Sequence, residues 1–279
     1  MEIYDAPEEP VDCEVRNESG VNRPSHVATP RVFGASVIGP LHIEKGIPCQ
    51  DACAFSILPC GLGVIAVADG LGSASMSEVG AKLAVEAAVQ SVNDALAESD
   101  TPHTPLEEIV SCAVHSARKM LEQKSVEEQR TLRDLACTII VTVFEADRLA
   151  VGHIGDGAVV GQAKDGLQLL SCPGESEYTN EVVPLTSSDW LESLRIVPTV
   201  SGVECVAVFT DGCQRAALRR SLDKLEPFAG FFDPIFSYAR ELLDQAEAER
   251  EIRALLSSKK MCENSEDDKT LVVAVLGRG

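Results

Sequence analysis

The stretch Gly63–Ala88 reads GVIAVADGLGSASMSEVGAKLAVEAA, and the way it treats one carboxylate decides the fold. It opens as an unbroken apolar strand, stops at Asp69-Gly70 and resumes with helical periodicity. Asp-Gly between apolar runs is a strong hairpin signal, but a hairpin needs a second alternating strand. Here Ser73, Ser75 and Ser77 lead instead into Glu78, Lys82, Glu86 and Gln90 along one side, with Leu83, Ala84, Ala87, Ala88 and Val92 opposite. That pattern is an amphipathic helix. Asp69 therefore stands where a buried strand hands over to a helix, and its chemistry depends on partners elsewhere.

Working outward, Met1 to about Pro30 carries scattered acids and prolines without periodicity, and reads as a flexible acidic tail (1–30) ahead of a single domain (31–279). RVFGASVIG from Arg31 and DACAFSIL from Asp51 read as strands. After the first helix, Pro105–Glu122 reads as a second, with Leu106, Ile109, Val110, Ala113, Val114, Ala117 and Leu121 on one side and Thr104-Pro105 as cap and first turn. Four strands come next, CTIIVTVFE, RLAVGHIG, GAVVGQA and LQLLS, with turns at Asp147-Arg148 and Asp165-Gly166. Cys172–Gly202 reads as a long polar loop or flap. Then come the strand CVAVFT, one long helix over Pro234–Ser258 and the closing strand KTLVVAVLG. Strands in runs and helices in blocks point to antiparallel sheets covered by helices, an α+β class, not to a doubly wound parallel sheet.

The chain has 279 residues, of which 45% are hydrophobic, enough for a substantial core. Its 24 basic and 44 acidic residues give a formal charge of −20, which argues against nucleic acid and anionic membranes as partners and is compatible with cations. Ten cysteines form no Cys-x-x-Cys pair, and several, such as Cys137 and Cys205, lie inside apolar runs. They read as free thiols in a reducing compartment rather than disulfide or zinc partners. The N-terminus lacks the pattern of a signal peptide, and no run approaches the ~20 apolar residues of a membrane span. The expectation is a soluble, cytoplasmic protein; the sequence is silent on oligomeric state.

Carboxylates recur at the ends of the most apolar strands. VIAVADG ends at Asp69, LAVGHIGDG at Asp156 and VAVFTDG at Asp211, while Asp267-Asp268 and Asp51 each precede a strand. An isolated Asp-Gly is usually a turn. Together, acids on rigid strand ends can converge at one sheet rim, where they repel one another unless cations neutralise them. An oxygen-rich, cysteine-free set points to magnesium or manganese.

GIPCQDACAF, VIAVADGLG, ACTIIVTV, VGHIGDGAVV, VAVFTDG and DDKTLVVAV, in this order over Ala35–Leu276, resemble the metal-dependent type 2C (PPM) serine/threonine protein phosphatases, in a bacterial branch. The resemblance implies a four-layer α-β-β-α sandwich of two antiparallel sheets flanked by helices. It implies that Asp69 bridges two ions, that the Gly70 carbonyl binds the second, and that Asp211 and Asp267 complete the first. It further implies that Asp156 helps hold a third ion, that Asp51 orders water, and that the Thr138 hydroxyl supports the site. Two Mn²⁺ or Mg²⁺ ions ~3.5–4 Å apart would then share a hydroxide that attacks a phosphoserine or phosphothreonine of a protein substrate, with no covalent intermediate.

Departures from the family pattern are specific. Gln50 stands where many members have Glu. Gly46 lies where some carry a phosphate-binding Arg, with Lys45 and His42 nearby. Leu71 stands where eukaryotic members often have a His proposed as general acid, and Ala136-Cys137 replaces Gly-Ser or Gly-Thr. These departures leave two further readings open: a pseudophosphatase acting as a regulatory binding module, and a phosphatase of small phosphorylated metabolites. His153 reads as structural and His26, His103 and His115 as surface or loop residues. Trp190 reads as an anchor for the loop, and GESEYTNEVVPLT as a substrate-recognition flap.

Overall fold

The computed structural model of the protein describes residues 30–97, 104–172, 182–221, 224–242 and 244–277. The expected tail up to residue 29, His26 included, lies outside the described residues, as do His103 and the 173–181 part of the expected flap. The strands are β1 (Arg31–Val37), β2 (Ala52–Ile57), β3 (Gly63–Ala68), β4 (Ile139–Glu145), β5 (Arg148–Ile154), β6 (Ala158–Ala163), β7 (Gly166–Ser171), β8 (Arg195–Val200), β9 (Val203–Phe209), β10 (Leu218–Ser221), β11 (Lys224–Pro227) and β12 (Lys269–Val275). They form two five-stranded antiparallel sheets, ordered β1-β12-β9-β6-β7 and β2-β3-β4-β5-β8, and a small β10-β11 hairpin. The helices are α1 (Pro40–Lys45), α2 (Ser77–Ala97), α3 (Leu106–Glu127), α4 (Trp190–Ser193), α5 (Gln214–Ala217), α6 (Ala229–Glu241), α7 (Gln245–Leu256) and α8 (Lys259–Asn264).

The layers follow from the period-two alternation of strands. Along β3, Ile65 and Val67 face the other sheet and pack with Phe144, Val206, Val208 and Val272. Val64, Ala66 and Ala68 point the opposite way, onto α2 and α3. The second sheet packs α6 and α7 through Phe232, Phe236, Ala248 and Ile252. A strand covered on both faces has no room for polar residues, which is why β3 reads as uninterrupted apolar sequence. The expected α-β-β-α sandwich is the observed one. On α2 the buried stripe is Ala81, Ala84, Val85, Ala88, Val89 and Val92, so Leu83 and Ala87 sit at its flank. On α3 all seven expected apolar residues are buried, each Leu, Ile or Val contributing about 1.5–3 kcal/mol.

Some expectations need correction. The region 234–258 is two helices, not one. The break follows Glu241, where Asp244 caps α7 by accepting from the backbone N–H groups of Ala246 (2.9 Å) and Glu247 (3.3 Å). The second helix begins at Leu106, with Pro105 at its N-cap, and runs to Glu127. Within the expected flap, residues 195–200 form β8, an edge strand on β5 with a register shift opposite Leu149–Val151. Pro198 disguises it, because proline is admitted to strands chiefly at edges and bulges. The flap's α4 is anchored on α3: Trp190 lies edge-on to His115 (5.0 Å), and Arg118 donates to the carbonyls of Leu185 and Ser187.

The topology delivers the acids to one rim. β3 and β5 both flank β4, so they run in parallel and end together; β2 is antiparallel to β3, with Ala52 opposite Ala68, and so begins there. In the other sheet β9 ends where antiparallel β12 begins, Phe209 opposite Leu271.

Candidate active site

Asp69 follows the last residue of β3 and is clamped from behind by Thr138. The Asp69 N–H donates to Thr138 Oγ1 (2.9 Å), and the Thr138 N–H donates to the Asp69 carbonyl (2.8 Å). Gly70 continues the rim; its N–H donates to the Gln50 carbonyl at 3.1 Å. A Cβ at Gly70 would sit 2.8 Å from both the Gln50 carbonyl and Ser77, so the absence of a side chain is required by close backbone approach. Asp69, Gly70, Thr138, Asp156 and Asp267 line one hollow of about 430 Å³, together with His42 and Lys45 from α1. Asp211 begins the turn leading into α5 on the other side of Asp267, in a neighbouring hollow.

The acids feel one another. The carboxyl of Asp69 is held well above its ordinary range by burial first, then by the charges of Asp51, Asp211, Asp156 and Asp267. Burial, with Asp156 and Asp267, raises Asp211 to about 6, against which a hydrogen bond with Asp69 pulls. Asp156 is raised by burial, with Asp267 adding to it. Among the described residues no three acidic, histidine or cysteine side chains close around a single point tightly enough to hold an ion as they stand. Bare carboxylates at a common rim repel, and the set they make with the Gly70 carbonyl is the all-oxygen donor chemistry of hard divalent cations. In donor chemistry, though not in spacing as they stand, the residues present fit such ions.

Asp51 sits behind this rim. It is buried, and its Oδ2 accepts from the hydroxyls of Thr210 (2.7 Å) and Thr270 (2.8 Å). It thereby ties the start of β2 in one sheet to the end of β9 and the start of β12 in the other. Burial raises its carboxyl, and these hydrogen bonds oppose that shift. Near the rim, burial pushes the thiols of Cys49, Cys137 and Cys213 up, so none of these is a thiolate nucleophile near neutral pH.

Residues 38–257 match the sequence profile of the family described as Protein phosphatase 2C. The chain belongs to the protein phosphatase 2C family. It is 33% identical over 251 residues to Serine/threonine-protein phosphatase 3 of Escherichia coli (strain K12), covering 88% of this chain and 98% of that one. By structure it resembles the catalytic domain of the serine/threonine phosphatase PstP, solved with two manganese ions, at TM-score 0.60 and 18% identity over 90% of this chain and 99% of that one. It also resembles the S. agalactiae serine/threonine phosphatase at TM-score 0.59 and 15% identity, covering 88% of this chain and 99% of that one. As a 2C phosphatase, the chain is an enzyme of the serine/threonine protein phosphatase class.

Two features of this 2C phosphatase were not visible in its sequence. Gly46 is the left-handed C-cap of α1 (φ 66°), and the short helix it ends brings His42 and Lys45 to the hollow. Asp268 is the buried member of its pair: it accepts from Gly39 N (2.7 Å), Gln50 N (2.6 Å) and His42 Nδ1 (2.8 Å), while Asp267 is half exposed. The doubled Asp was the available signal. Buried Lys269 donates to the Asp267 carbonyl at 2.6 Å and holds that turn from below. Expected as structural, His153 is buried and pairs through Nδ1 with Ser171 Oγ at 2.7 Å.

Proposed function

We propose that the chain hydrolyses phosphoserine and phosphothreonine in proteins, using manganese or magnesium held by Asp69, Asp211 and Asp267, with the Gly70 carbonyl and Asp156 serving further ions. The observation that carries this reading is the gathering of Asp69, Asp156, Asp211 and Asp267 at one rim, close enough for each to disturb another's charge. Divalent ions bound there supply Lewis acidity, acidifying a water and offsetting charge on the phosphoryl oxygens. The protein's own groups do the rest. Thr138 fixes the Asp69 backbone on both sides of its Cα, so the carboxylate keeps its aim. Asp268 orients His42 through Nδ1, which leaves Nε2 toward the hollow, 3.9 Å from Asp267 Oδ1. Lys45 and His42 are the cationic-capable side chains of that hollow, placed to receive a phosphate dianion among acids. Leu71 lines the same wall and offers no proton.

Hydrolysis of p-nitrophenyl phosphate and of a phosphothreonine peptide, with manganese, with magnesium and with chelator, tests the reading beside Asp69→Asn. Turnover that needs metal and is lost in a folded variant supports it. A well-folded protein inactive with every ion overturns it.

A further inference from the structure

On the far side of Asp267 from the acidic hollow lies a larger cleft of about 930 Å³, between α5 and α8. The two share Leu41 and Asp267 as a dividing wall, so the cleft lies directly beside the acidic hollow. The cleft is polar, and its wall carries two cations, Arg215 and Lys259, among the acids Asp211, Glu263, Glu266 and Asp267. The cations are not equivalent. Lys259 is drawn back onto Glu263 along its own helix, at 3.7 Å. Arg215 has no hydrogen bond or ion pair through its guanidinium among the described residues.

Arg215 is also well placed. It follows Asp211 by one turn, and its neighbour Gln214 donates to the Asp156 carbonyl, tying α5 to the acidic rim. Arg219, which does not line the cleft, donates to the Arg215 carbonyl at 2.7 Å and stacks over Phe228 at 4.1 Å, fixing the end of α5 that carries Arg215. In a chain of net charge −20, a free guanidinium beside a carboxylate-lined rim is a selective feature: it attracts anions where the surface otherwise repels them.

We propose that this second cleft seats the polypeptide flanking the phosphoresidue, and that Arg215 selects an anionic side chain there, an Asp, a Glu or a second phosphoserine. This rests on the phosphoprotein reading of the site. The test is a phosphothreonine peptide, neutral otherwise, in which a single Asp is moved along either side, with phosphoserine then placed at the best position. The readout is the ratio of kcat/KM for each Asp peptide over its Ala counterpart, so that general changes in turnover cancel. Non-hydrolysable phosphonate versions of the same peptides give the corresponding ratio of Kd in the presence of manganese.

The wild type is expected to prefer Asp on the order of five-fold at one position or a short run of positions, less with added salt, and phosphoserine more than Asp. Arg215→Glu brings the ratio to one or inverts it, and Arg215→Lys keeps part of it. A wild-type ratio of one everywhere, or a ratio untouched by Arg215→Glu, overturns the assignment of the cleft while catalysis stands. Absent turnover, with Asp-dependent phosphonate binding that Arg215→Glu abolishes, overturns the catalytic reading and supports the cleft.

Discussion

The Asp268 carboxylate takes three hydrogen bonds inside the protein, from the backbone of Gly39 and Gln50 and from the His42 ring. An ionised carboxylate can only accept, so Asp268 fixes the ring's tautomer and joins the start of β12 to α1 and to the approach to β2. Asp268→Asn keeps the volume but turns N–H groups toward N–H groups. Leaving buried donors unmet, it is expected to lower stability by about 2–4 kcal/mol, read as the urea unfolding midpoint. A loss below about 0.5 kcal/mol would show that the turn holds without this acceptor. Thr138 works in a similar way on Asp69, whose backbone N–H and carbonyl it holds at 2.9 and 2.8 Å.

Among elements, α3 serves as a platform as well as a core helix. One face is buried under the β2-β3-β4-β5-β8 sheet, and its edge carries Arg118, which holds the Leu185 and Ser187 carbonyls and lies 5.8 Å from the Trp190 ring. Segment 182–194 thus reaches β8 by docking, not by forming a sheet of its own. Arg118→Ala removes two charge-assisted hydrogen bonds and a cation–π contact to this segment, along with the Glu122 ion pair within α3. Amide exchange over 182–194 is expected to quicken by ten-fold or more, equivalent to about 1.4 kcal/mol or more of local opening, with β3 and β4 unchanged. Faster exchange spread evenly across the chain, or no change at all, would disconnect Arg118 from this segment.

At the scale of the whole molecule, two sheets press their acids against one rim, and folding has to bring those charges together. Between the ordinary carboxylate value of 3.8 and the raised values, which reach about 6 for Asp211, the metal-free native state binds more protons than the unfolded chain. Stability from this source is therefore complete below the ordinary value and is lost as pH rises through the raised ones. In chelator, Asp69→Asn is expected to melt a few °C above the wild type near about pH 8, with the gap closing toward about pH 4; manganese is expected to raise the wild type far more than the variant. Equal melting of the two proteins across that range would mean that the acids do not strain the fold. Much of this was legible along the chain. Asp69, Asp156 and Asp211 follow apolar strands, so their recurrence after such runs marked them as strand-end acids; block order marked antiparallel sheets covered by helices, and the family resemblance implied the four-layer sandwich. The buried role of Asp268, the helix that carries His42 and Lys45, the Pro198 edge strand and the guanidinium of Arg215, unpaired among the described residues, were not legible. Their roles come from contacts between segments far apart in sequence, such as Asp268 with Gly39 and Gln50, which no local pattern encodes. Local periodicity determined which residues form strands and which carboxylates stand at their ends. Only the stacking of two sheets, driven by burial of both faces of β3 and its neighbours, decided which of those ends meet and what surrounds them.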